Sequence, residues 1–168
     1  MIISASDLQA SIQTYPMEFR GMMVDTQYFC PSPAWLGEFV GFLQSMPSFR
    51  YRPEVYDCED FALNAHRLAM RALLLSGRKG VGMAGGIMAV QLTEPTEFLG
   101  QIYRGGNMHA VNFFLCSDDR FWLLDSRSYH YEPAKTALRN PGVASPTVLW
   151  VHDRPTRPLR PSPHVLIA

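Results

Sequence analysis

NMHAVNFFLCSDDRFWLLD, residues 107–125, is the stretch on which the fold turns. Two runs rich in apolar, aromatic and β-branched residues, 107–115 and 120–125, flank a short polar segment, which predicts a β-hairpin. Side chains alternate between the faces of a strand, so His109 shares a face with Val111, Phe113 and Leu115. The side taken by Asp125 depends on the loop. With a three-residue loop, 117–119, Cys116 pairs with Arg120, paired numbers sum to 236, and Asp125 falls on the His109 face one diagonal step away. With an even loop the sum is 237 and Asp125 turns to the other face. Sequence leaves both registers open.

Outward from the hairpin, GMAGGIMAVQL (82–92) and PTVLWVH (146–152) read as further strands of a mostly antiparallel sheet. Helices are expected earlier, over 7–15, over 33–46 with Ser32 as cap, and from Cys58 onward. In this last run Phe61, Ala62, Ala65, Leu68, Ala69, Ala72 and Leu73 recur at three and four, and Gly77 stops the run. Helices first and strands later suggest an α+β domain over 1–152, with the apolar stripe of the long helix covering the His109 face. Residues 153–168 form a proline-rich tail suited to an extended conformation and to an aromatic groove on a partner.

Composition narrows the partners. Fifteen basic side chains balance fifteen acidic ones, which disfavours nucleic acid and anionic membranes. No run approaches the roughly 18 apolar residues of a membrane span. The start lacks the pattern of an export signal, which gives a cytoplasmic expectation. Cys30, Cys58 and Cys116 stand too far apart for a paired CxxC zinc pattern or a disulfide framework.

The long helix opens with DCED, residues 57–60. Asp57 as N-cap and Asp60 in the first turn suit a helix start and its dipole, with Cys58 a small buried hydrophobe. The helix N-terminus also lowers a thiol pKa, while three neighbouring carboxylates oppose thiolate formation. Among the histidines, His66 reads as a surface helix residue, His130 as a loop residue, and His152 and His164 belong near or in the proline-rich end. His109 alone alternates with apolar residues. In the register that sums to 236, Cys58 as nucleophile, His109 as base and Asp125 as orienting carboxylate make a catalytic triad. The Cys58 backbone N–H is one oxyanion donor, with Tyr56, Tyr51 and Gln44 as candidates for a second.

DCEDFAL, GNMHAVNFF and RFWLLD together resemble the bacterial transglutaminase-like cysteine proteinases over residues 54–127. Cys58 precedes His109 by 51 residues, and Asp125 follows it by 16. The resemblance implies a papain-like/transglutaminase-like fold with a central helix packed on the sheet. A similar layout occurs in the cysteine-protease domain of certain calcium-dependent fungal agglutinins. The resemblance also implies a calcium ion on Asp57 and Glu59, which would offset the charge beside the thiol. The loop 93–106, TEPTEFLGQIYRGG, departs from the pattern.

The function expected from these residues is a thiol hydrolase, a cysteine peptidase or amidase acting on a peptide or protein through an acyl-enzyme. The alternatives are a noncatalytic binding module of the same fold and transglutaminase-type acyl transfer to an amine.

Overall fold

A computed structural model describes residues 1–20, 23, 25–46 and 58–150. In chain order the elements are β1 (Ile2–Ser4), α1 (Ala5–Gln13), β2 (Glu18–Phe19), β3 (Gln27–Phe29), α2 (Pro33–Ser45), α3 (Cys58–Leu75), β4 (Gly82–Met83) and β5 (Gly85–Leu92). There follow β6 (Thr96–Phe98), β7 (Gln101–Tyr103), β8 (Asn107–Leu115), β9 (Phe121–Asp125), β10 (His130–Pro133), α4 (Ala134–Ala137) and β11 (Val143–Trp150).

Local chemistry explains the helix ends. Ser4 Oγ accepts from the Asp7 N–H at 3.1 Å while the Asp7 carboxylate accepts from the Ser4 N–H at 3.3 Å, so α1 starts ahead of the expected Asp7. Ser32 caps α2 as expected, its Oγ accepting from the Trp35 N–H at 3.1 Å. α3 ends near Gly77, whose φ of +82° suits glycine. The expected cap of α3, Asp57, and the proline-rich tail lie outside the described residues.

A six-stranded sheet in the order β10-β9-β8-β5-β11-β2 organises the molecule. Its pairings are antiparallel apart from the parallel β11 to β2 contact. A three-stranded sheet, β1-β3-β4, and the β6-β7 hairpin complete the strands. At Gly85 a Cβ would meet the Phe113 carbonyl oxygen at 2.6 Å, so only glycine lets β5 lie this close to β8.

The β8-β9 hairpin takes the register that sums to 236: Leu115 pairs with Phe121 and Asn112 with Leu124. Cys116 N–H donates to the Arg120 carbonyl at 2.9 Å, and Asp119 adopts φ +57°, a left-handed position that Asp tolerates in a three-residue hairpin loop.

β8 is buried on both sides. Val111, Phe113 and Leu115 pack with Leu8 and Ile12 of α1 and with Phe121 and Leu123. Phe114 packs with Leu36, Phe39 and Leu43 of α2, with Phe61, Ala65 and Leu73 of α3, and with Leu124 of β9. The covering of the faces is therefore the reverse of that expected. α3 lies on the even-numbered face, against Ala110, Asn112 and Phe114, and the His109 face belongs to the other layer. His66 is fully buried in α3 and is not the surface residue expected. Among the described residues eleven strands accompany four helices, and no helix is long and apolar enough to cross a membrane. This mixed, sheet-dominated architecture with few helices corrects the papain-like/transglutaminase-like α+β expectation.

Candidate functional site

Asp125 ends β9, and the register of the hairpin sets it on the His109 side of the sheet. The two side chains meet: His109 Nε2 and Asp125 Oδ2 are 3.0 Å apart, with 4% and 1% of the side chains exposed. A third residue joins them. The Tyr103 hydroxyl donates to Asp125 Oδ2 and lies 3.0 Å from His109 Nε2, and the Tyr103 and His109 rings are 4.5 Å apart between centroids. Both contacts of Nε2 are satisfied when that nitrogen carries the ring proton. The backbone N–H of Arg127 donates to Asp125 Oδ1 at 2.9 Å, and Phe98 packs edge-on to the imidazole.

Tyr103 reaches the cluster on the β6-β7 hairpin. Leu99 and Gly100 turn it with φ values of +47° and +72°, and Ser128 Oγ donates to the Leu99 carbonyl at 2.9 Å. At its base, Asn140 Nδ2 donates to the Glu97 carbonyl at 2.7 Å and Asn140 Oδ1 accepts from Thr96 Oγ1 at 2.7 Å. Sequence reading treated 93–106 as a loop and missed Tyr103. The available signal was the Leu-Gly turn between two three-residue runs that each end in an aromatic, TEF and QIY.

The charges follow from the contacts. Burial pushes the Asp125 carboxyl up, but hydrogen bonding and charge from His109, the Tyr103 hydroxyl and the Arg127 N–H outweigh it, so its pKa lies below the usual carboxylate range. Burial first, then the neighbouring Asp125 carboxylate, drives the Tyr103 pKa well above that of a free phenol, and the residue stays a neutral donor.

Cys58 enters from the α3 side, packing with Ala62, Ile87 and Ala110. Its thiol donates to the Glu59 carboxylate at 3.4 Å, and it lies near enough to Tyr103 to add to the upward shift of that hydroxyl. Thus His109 and Asp125 come together as the sequence anticipated, and Cys58 packs on the Ala62, Ile87 and Ala110 cluster within electrostatic reach of Tyr103. Of the other expected residues, Gln44 is exposed near the end of α2, and Tyr51, Tyr56 and Asp57 lie outside the described residues. Glu59 of the expected calcium pair sits in the first turn of α3. Among the described residues no group of three or more His, Cys, Asp or Glu side chains is arranged to hold a metal ion.

No family model and no curated protein sequence matches this chain. Solved structures do. A chain described as the PSL1a-E64 complex superposes with a TM-score of 0.62 at 15% identity, over 87% of this chain and 50% of that one. The fold also resembles that of Polyporus squamosus lectin. That lectin, bound to the human-type influenza-binding epitope Neu5Acα2-6Galβ1-4GlcNAc, gives a TM-score of 0.60 at 15% identity, over 87% of this chain and 49% of that one. The chain spans about half the length of the solved chains it matches. A lectin-like fold therefore replaces the papain-like/transglutaminase-like one. The expectation of a thiol hydrolase, and with it the description as a cysteine protease, is corrected on the same finding.

Proposed function

We propose that this domain is a noncatalytic binding module whose ligand is a saccharide. The observation that carries the proposal is the fold shared with a solved lectin over 87% of this chain. The likeness to a lectin supports a sugar as ligand. So does the chemistry of the Tyr103, His109 and Asp125 cluster, where an aromatic body and fixed polar groups converge at one end of the sheet, as small-ligand sites require.

Isothermal titration calorimetry with oligosaccharides, Neu5Acα2-6Galβ1-4GlcNAc among them, tests this directly. Saturable binding is expected, unchanged in Cys58→Ala and weakened at least tenfold in Tyr103→Phe. Cys58-dependent hydrolysis of a peptide or amide, together with no glycan binding, would overturn the proposal.

A further inference from the structure

Leu73 lies fifteen residues along α3 from Cys58, about 22 Å at 1.5 Å per residue. There the last turns of the helix, the β3-α2 junction and Ser117 enclose a cleft of about 420 Å³, within the size range of small-molecule sites. Phe29, Trp35, Leu73 and Met83 give it apolar walls, and Ser117 and Arg78 give it polar ones. Trp35 is held by stacking on Phe39, with centroids 5.1 Å apart and rings 7° from parallel.

Arg78 is the informative residue. Its guanidinium carbon lies 4.5 Å from the centroid of the Phe29 ring, and Nη1 donates to Ser76 Oγ at 2.7 Å. Ser76 Oγ in turn donates to the Leu73 carbonyl at 2.7 Å, so the guanidinium is oriented from two sides. Among the described residues Arg78 makes no ion pair. A guanidinium has five N–H donors in a planar fork that matches a carboxylate bidentately. Here one donor is used on Ser76, and the cation borders a cleft whose walls are polar and apolar in near-equal parts.

We propose that this cleft binds a small organic carboxylate, its anionic end paired with Arg78 and its apolar body against Trp35 and Met83. The site is separate from the Tyr103 cluster and does not depend on the saccharide proposal.

The test uses the full chain and 3-phenylpropionate as probe, with neutral 3-phenylpropionamide as its control, followed by calorimetry and by tryptophan fluorescence. Saturable binding of the carboxylate at millimolar Kd is expected. It should weaken at least tenfold for the amide and in Arg78→Gln, but stay unchanged in Arg67→Gln, which alters an exposed charge elsewhere on α3. Ser117→Phe, which fills the cleft, should remove binding altogether. Arg78 is exposed, so its substitution leaves the fold intact, as an unchanged melting temperature will verify. Absence of saturable carboxylate binding to the wild-type chain, equal affinity for the amide, or equal affinity in Arg78→Gln would each overturn the proposal.

Discussion

The two faces of β8 each carry one buried polar side chain in an apolar field, and they treat it differently. On the α3 face Asn112 is fully buried and uses its amide to fasten the sheet to the helix, Nδ2 donating to the Ala62 carbonyl at 2.7 Å. On the other face His109 is fastened by side chains from two further strands, Tyr103 of β7 and Asp125 of β9. Asn112 meets a backbone carbonyl and is neutral at every pH. His109 sits in a cluster of three titratable groups near the end of the sheet. The first arrangement holds layers together, and the second joins three strands around a buried carboxylate.

The largest effect should come from the packing on the α3 face. Phe114→Ala removes a fully buried ring between α2, α3 and β8, and a loss of about 3–5 kcal/mol is expected in urea denaturation. Asn112→Ala should cost about 1–3 kcal/mol by the same measurement, because the helix loses its side-chain tie to the sheet. Tyr103→Phe should cost about 1–2 kcal/mol near neutral pH, and it differs from the Asn112 variant in its pH profile.

The sign of that profile is fixed by the direction of each shift. The folded-state pKa of Asp125 is depressed, so its contribution is complete above the unfolded value of about 4 and is lost as pH falls through the lower folded value. The folded-state pKa of Tyr103 is raised, so its contribution is complete below about 10 and is lost as pH rises above that. Tyr103→Phe should therefore flatten the alkaline limb, and Asp125→Asn the acid limb. Burial also raises the Cys30 and Cys116 thiols, to about 11 and about 12, which leaves a residual alkaline loss in the Tyr103 variant. An Asn112→Ala curve parallel to wild type, against a Tyr103→Phe curve that converges on it above pH 10, would sharpen the contrast. Parallel curves for both would break it. The smallest effect is expected at exposed Ile102, where Ile102→Ser should stay within about 0.5 kcal/mol of wild type.

Long periodic segments were legible in the sequence because their patterns are local. The spacing of apolar residues marked α3, Ser32 and Pro33 marked the start of α2, and the alternation in 107–115 marked β8. Loop parity then linked His109 with Asp125, although only the observed register could decide it. What failed was the choice of face. A strand buried on both sides gives no signal for which neighbour covers which side, so His109 was assigned to the α3 face. Strands of two or three residues, such as β2, β6 and β7, carry too little alternation to read, and Tyr103 was missed with them. His66 was misplaced because a histidine within a helical stripe reads as polar and exposed when only its own residue type is weighed.

The β6-β7 hairpin, tied at its turn by Ser128 and at its base by Asn140, behaves as a bracket and not as a lid. Its tip and root are anchored to different parts of the chain, so Tyr103 is in position before any ligand arrives. A ligand bound there, as proposed, would have little order left to impose on this side, which lowers the entropic cost of association. Releasing the bracket with Asn140→Ala should then slow association at the Tyr103 cluster while leaving the contacts made in the bound state unchanged.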